Sequence, residues 1–132
     1  MSEGYPAELS YHPDHDWARV DGEAAVFGIT WYAQDALGEV VFFDPPAVGA
    51  SVSAGEAYAE VESVKAVSDV FAPLSGTVVA VNEGLVDTPE RINEDPYGEG
   101  WLVKVELSEP GELDSLLDVE AYKALLSGGG DS

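Results

Sequence analysis

The chain has 132 residues, and its 26 acidic side chains against five lysines and arginines give a formal net charge of −21. That charge argues against direct binding to nucleic acid or to an anionic membrane, because both would be repelled. No apolar run approaches the roughly 20 residues that span a bilayer, and with no cysteine the chain has neither disulfides nor thiolate chemistry of its own.

The length fits one domain spanning residues 1–132, with a core over about 9–126 and short tails. Met1-Ser2-Glu3-Gly4-Tyr5-Pro6 has neither the basic start nor the apolar centre of a targeting segment, so the expectation is an unprocessed, cytoplasmic protein. The acids run from Glu3 to Asp131 and do not form a tail. Two readings of the charge remain. One is basic partners; the other is a halophilic cytosol, where a Debye length of about 3 Å at 1 M salt screens the self-repulsion. Scarce lysine beside abundant Asp and Glu favours the second.

Leu9 to Tyr11 reads as a short strand, and His12-Pro13-Asp14-His15-Asp16 as a turn. Trp17 to Val20 and Ala24 to Gly28 then form a hairpin across Asp21-Gly22. Thr30 caps a helix from Trp31 to Leu37 that Gly38 ends. Glu39 to Phe43 is a strand stopped by Pro45-Pro46, and Ala47 to Val52 is a weaker extended piece. Ala57 to Val61 and Val67 to Phe71 are the arms of a second hairpin whose turn lies near Val64-Lys65. After Pro73-Leu74-Ser75-Gly76, Thr77 to Val81 is a strand. Asn82 to Gly100 reads as loop with one helical turn around Glu90 to Ile92, and Trp101 to Leu107 is the last strand. Leu113, Leu116 and Leu117 fall at helical spacing. Asp118 caps a final helix with Val119, Tyr122, Leu125 and Leu126 on one face, ended by Gly128 to Gly130. The fold class is mainly β, of α+β type. Glycine turns introduce strands at Val52 to Glu56 and again at Pro73 to Thr77. They suggest two similar halves joined at the second hairpin, or only the ordinary use of glycine turns in a small β protein.

The second hairpin organises the chain. Lys65 sits at its tip between Val64 and Ala66, and it is one of only three lysines. A flexible four-carbon stem ending in an amine, exposed where an enzyme can read its surroundings, suits covalent attachment of a carrier group. A charged gatekeeper shielding a strand edge from other chains fits the same spacing, and most lysines beside strands serve that way.

Other chemistry finds little support. His12 and His15 with Asp14 and Asp16 have ligand chemistry, but two histidines in a proline turn with no third distant ligand make a weak metal site. A Ser-His-Asp or Cys-His arrangement is not interpretable, and no phosphate-binding glycine loop occurs. No catalytic or metal-binding residue is assigned.

The stretch from Gly55-Glu56 through Glu62-Ser63-Val64-Lys65-Ala66-Val67-Ser68-Asp69 to Ala72-Pro73-Leu74-Ser75-Gly76 closely resembles the lipoate-bearing hairpin of the glycine cleavage system H proteins. Further stretches agree in order: His15-Asp16-Trp17, Gly28-Ile29-Thr30 with Tyr32-Ala33-Gln34 and Leu37-Gly38, Val40-Val41-Phe42, Asn93-Glu94-Asp95-Pro96-Tyr97 with Gly100-Trp101, and the tail from Glu112-Leu113 to Leu126. The resemblance implies a barrel-sandwich hybrid with a lipoyl hairpin and short C-terminal helices, and lipoate in amide linkage to Lys65. It implies a non-catalytic shuttle in a prokaryotic cytosol. The shuttle takes the aminomethyl group of glycine from a pyridoxal-phosphate glycine decarboxylase to a tetrahydrofolate-dependent aminomethyltransferase, and a dihydrolipoamide dehydrogenase then reoxidises it. A lipoate ligase or an octanoyltransferase would attach the group. By the same resemblance Asp69, His15, Asp16 and Glu62 lie near a cleft for the cargo amine; two more solvated acids among 26 is the plainer account of Asp16 and Asp69.

Three positions depart from the family pattern. Asp16 stands where Glu is usual, Trp31 where an acid is usual, and Pro45 where Leu is common. A biotin carrier would place methionine on both sides of the lysine, and a lipoyl domain of a 2-oxoacid dehydrogenase would usually place Asp before it; here Val64 and Ala66 flank Lys65. The remaining alternatives are an H-like protein relaying lipoate or octanoate to other lipoyl enzymes, and a scaffold carrying nothing.

Overall fold

The computed structural model describes residues 9–126; the glycine stop expected at Gly128 to Gly130 lies outside them. Nine strands form two antiparallel sheets. The strands are β1 (Ser10–His12), β2 (Asp16–Asp21), β3 (Ala24–Ile29), β4 (Val40–Asp44), β5 (Ser51–Val52), β6 (Ala57–Ser63), β7 (Val67–Phe71), β8 (Gly76–Val81) and β9 (Val103–Leu107). The larger sheet has the order β1-β2-β3-β9-β8-β5 and the smaller one β4-β6-β7. Phe27, Phe43, Val61, Val70, Leu74 and Val105 meet in the main core, each contributing about 1.5–3 kcal/mol by leaving water. This mainly β, two-sheet architecture matches the expected class.

The strand preceding the Lys65 hairpin and the strand following it pair with each other, Val52 opposite Gly76, while the hairpin arms pair in the other sheet. Between them the two glycine turns lie side by side. Gly55 N–H donates to Ala72 O at 2.8 Å, and Ala72 N–H to Glu56 O at 2.9 Å. One long hairpin therefore bends from one sheet into the other with its tip at Lys65.

Four helical pieces and a 3-10 turn complete the chain. Helix α1 (Trp31–Leu37) starts at Thr30, whose Oγ1 accepts from Ala33 N–H, and ends at Gly38 with φ +82°, a left-handed conformation that glycine adopts without steric cost. The segment from Asn82 to Gly100, expected as loop with one turn, holds two: α2 (Gly84–Asp87) and α3 (Arg91–Glu94). Each buries one apolar side chain, Leu85 or Ile92, in the main core. Four-residue helices are too short to show a 3.6-residue period. The Leu113 region is a 3-10 helix, Pro110–Ser115, held by Glu112, which accepts from the N–H and the hydroxyl of Ser75 at 2.7 and 2.8 Å. The last strand begins at Val103 and not at Trp101.

Helix α4 (Val119–Leu126) packs on β1 in a second cluster of Leu9, Tyr11, Trp17 and Tyr122, with the Tyr11 and Tyr122 rings stacked at 4.7 Å. The indole of Trp17 lies flat on Gly28, where a Cβ would stand 2.5 Å from its ring carbons, so no larger residue fits there. Trp17 Nε1–H donates to Pro96 O at 3.0 Å, and Trp31 N–H to Tyr97 Oη at 2.8 Å. Asn93-Glu94-Asp95-Pro96-Tyr97 thus clamps β2 to the start of α1.

Candidate functional site

Lys65 occupies the turn between β6 and β7, and it is exposed. The turn is tied by Ser63, whose Oγ accepts from Lys65 N–H and Ala66 N–H at 3.3 and 3.1 Å and donates to Ala66 O at 3.2 Å. Ser63 N–H donates to Ala66 O at 2.7 Å, and Val64 N–H to Glu39 O at 3.0 Å. A short hydroxyl side chain bonding its own turn is a common serine device. Ser63 belongs to the stretch singled out from the sequence, where no role was assigned to it. The lysine stem runs over Gly38, at which a Cβ would lie 3.3 Å from Lys65 Cε.

Gly38 is held in place from below. Asn93 Nδ2–H donates to Gly38 O at 2.8 Å and to Gln34 Oε1 at 3.0 Å, while Asn93 Oδ1 accepts from Val40 N–H at 2.8 Å. Both donors and one of the two acceptor positions of this amide are spent on the junction between α1 and β4. Asn93 opens the Asn93-to-Tyr97 motif, and no local pattern in the sequence links it to Gly38, 55 positions earlier.

A cleft of about 210 Å³ opens between α1 and β7, the second arm of the Lys65 hairpin. Ala33, Ala36, Leu37, Val61 and Val70 give it apolar walls, with Tyr32, Ser68 and Asp69 also on the lining; Asp14, His15 and Asp16 close the far end. Three of the four sequence-predicted cleft residues, Asp69, His15 and Asp16, are therefore brought together. Glu62 is not. It is exposed on β6, between Phe42 and Val67, because strand alternation sends Val61 and Ser63 inward and Glu62 out.

The far end is electrostatically unusual. Asp16 is 2 % exposed. Burial, reinforced by the charge of Asp14, pushes its carboxyl well above the usual carboxylate range, and a hydrogen bond from the backbone of Phe71 offsets this in part. His15 adopts φ +73°, uncommon for a side-chain-bearing residue, and its ring lies on Tyr32 at 4.5 Å. The His15 Nδ1 is 2.8 Å from Tyr122 Oη, which is also 2.7 Å from Thr30 Oγ1. Burial lowers the His15 pKa against the raising effect of Asp14. Trp31 is not on the cleft lining. His12 turns to Asp14, its Nδ1 accepting from Asp14 N–H at 3.1 Å, and no group of three potential metal ligands occurs among the described residues.

The hairpin thus carries an exposed lysine on a hydrogen-bonded turn at its tip, and its second arm lines a largely apolar cleft that holds a buried acid. The sequence profile of the family described as Glycine cleavage H-protein matches residues 9–128. The chain belongs to that family. Among similar relatives, the glycine cleavage system H protein of Symbiobacterium thermophilum is 54% identical over 124 residues, covering 94% of this chain and 97% of the relative. A probable glycine cleavage system H protein of Haloarcula marismortui is 52% identical over 123 residues, covering 93% and 97%. The crystal structure of the glycine cleavage system H protein from Mycobacterium marinum superposes with a TM-score of 0.84 at 43% identity, covering 94% of this chain and 99% of that one.

Proposed function

We propose that this chain is the lipoyl-bearing shuttle of a glycine cleavage system, with lipoate in amide linkage to Lys65. The observation that carries the reading is the exposed Lys65 on its Ser63-tied turn, at the tip of the hairpin whose arms supply Val61, Ser68, Asp69 and Val70 to the cleft that holds Asp16. When attached, the lipoyl group supplies the disulfide sulfur that takes up the aminomethyl group of glycine. The protein's own residues bind, orient and shield. The apolar walls exclude water from the end of the arm. Asp16 and Asp69 offer carboxylates to a cationic amine, and a tethered arm raises the effective concentration of its cargo at each partner enzyme.

In this reading the chain is a single carrier domain without catalytic activity of its own. Its partners are the glycine decarboxylase, the aminomethyltransferase, the dihydrolipoamide dehydrogenase and a lipoate ligase or octanoyltransferase. The relatives above are named for glycine cleavage, which favours this role over relay of lipoate to other enzymes. Digestion and mass spectrometry of the peptide carrying Lys65, after expression with active lipoylation, tests the assignment. A lipoyl adduct on that lysine is expected, and an adduct on Lys104 or Lys123 instead would reject it.

The net charge of −21 fits a cytoplasm rich in salt, and a relative from Haloarcula marismortui fits as well. Self-repulsion is screened as the Debye length shrinks from about 10 Å at 0.1 M to about 3 Å at 1 M. The melting temperature is therefore expected to rise between dilute buffer and molar KCl, and a salt-independent melting temperature removes the halophilic reading.

A further inference from the structure

Two buried polar atoms have no hydrogen-bond partner among the described residues: Asp16 Oδ2, on the cleft lining, and Tyr58 Oη behind it on β6. They belong together. Tyr58 sits on β6 at the irregularity between the Ala57–Phe71 and Ala59–Val70 pairs, and it is Phe71 whose backbone hydrogen-bonds the Asp16 carboxyl. The tyrosine ring is fixed edge-on against Phe27 at 5.9 Å. Tyr58 is 9 % exposed and Asp16 2 %. Burial raises the phenol pKa well above its ordinary value, and the Asp16 charge raises it further, so the hydroxyl keeps its proton and feels the carboxylate. One orphan is a donor; the other is an acceptor. Buried orphans of this kind are rare unless they serve each other or a ligand.

We propose that Tyr58 is the positioning residue for Asp16: its hydroxyl donates to Oδ2 across one internal water and so holds the carboxylate ionised in the cleft, ready for a small primary ammonium. The inference rests on the carrier reading above for its ligand, but the pairing of the two side chains stands apart from it. Phe71 N–H and Tyr58 O–H together stabilise the charged form of Asp16 against burial and against the like charge of Asp14. The other titratable groups on the lining are His15, Tyr32 and Asp69. The burial-lowered pKa of His15 favours its neutral form near neutral pH and leaves the end of the cleft without a competing cation.

Carboxyl carbon NMR of the full chain tests this in two arms. In the first, the Asp16 titration midpoint is followed in the wild type and in Tyr58→Phe. Removing the hydroxyl is expected to move the midpoint to higher pH, and an unchanged midpoint overturns the proposal. In the second, methylammonium chloride serves as the free probe of cargo binding. A saturable shift of the Asp16 signal is expected in the wild type. Asp16→Asn should lose protection of the cleft amides by the probe at every pH, and Tyr58→Phe should bind about tenfold more weakly at neutral pH and recover at higher pH. Loss in Tyr58→Phe without recovery would assign the tyrosine a packing role and reject the proposal. If the midpoint moves but the wild type shows no saturable methylammonium shift, the pairing stands and the cleft reading fails.

Discussion

The hairpin tip and the buried end of the cleft pose opposite problems. At the tip, Lys65 is held only through its backbone. Ser63 and Glu39 fix the turn, and the lysine side chain extends over a glycine. At the closed end the side chain itself is confined: Asp16 is buried between β7 and the turn that presents His15. A group that must be reached by an attaching enzyme is kept free on a rigid frame. In the carrier reading proposed above, the acid that meets a cationic cargo is kept from water, where an ion pair gains more than at the surface, and folding bears the cost. Changes at the tip should therefore alter function with little effect on stability, and changes at the closed end should move both, in opposite directions.

The largest expected effect is Lys65→Arg. The guanidinium keeps the charge but lacks an amine to acylate, so lipoylation and glycine–CO2 exchange should both vanish, while stability stays within about 0.5 kcal/mol of wild type, as for most exposed positions. Intact mass and urea titration check the two halves of that statement. Full lipoylation of Lys65→Arg would break the comparison at its first term. Next comes Asn93→Ala, which orphans Val40 N–H and Gly38 O under the lysine stem. About 2–3 kcal/mol of destabilisation is expected, measured as a lower urea midpoint at constant slope. A loss below about 0.5 kcal/mol would mean that the frame beneath the tip does not depend on this amide.

How much of this was legible in the sequence differs between the tip and the cleft for a physical reason. The turn at the tip is closed by residues within a few positions of one another, so Lys65, its turn and both strands could be read from alternation and from resemblance, whereas its distant supports Glu39, Gly38 and Asn93 could not. The closed end is assembled from the turn before β2, from α1 and from β6 and β7, which no local pattern links. Asp16 therefore reads equally well as a solvated acid, and Tyr58 reads as one more apolar-face position in a strand. Glu62 illustrates the converse. Its outward direction follows from the parity of Val61 and Ser63, so its place outside the cleft was available from the strand pattern, although the family resemblance suggested otherwise. The α2 and α3 turns escaped because Leu85 and Ile92 each act as a single anchor, and one anchor has no period.

Gly38→Ala sharpens the comparison on a smaller scale. A side chain at φ +82° and ψ −161°, a region essentially reserved to glycine, costs about 1–3 kcal/mol, and the new methyl would press on Lys65 Cε. Stability should fall by that amount. Lipoylation should continue, because the amine lies beyond the contact, and a variant that folds normally but resists lipoylation would show that the stem's path over the glycine is what the attaching enzyme reads.

Asp16→Asn carries the most telling sign. The folded-state pKa of Asp16 is raised by burial, so the folded protein holds this proton more tightly than the unfolded chain does. Stability contributed at this position is complete below the unfolded pKa, near 3.9, and is lost as the pH rises through the folded one. Replacing the acid with a neutral amide should therefore stabilise the protein at neutral pH, and the gain should shrink as the pH falls towards 4, where the wild-type carboxyl is protonated as well. Measuring the difference between variant and wild type at each pH cancels the contribution of the remaining 25 acids to first order. A variant less stable than wild type at neutral pH would mean that the carboxylate is a net structural asset, and the division of labour between the hairpin tip and the buried end of the cleft would fail at Asp16.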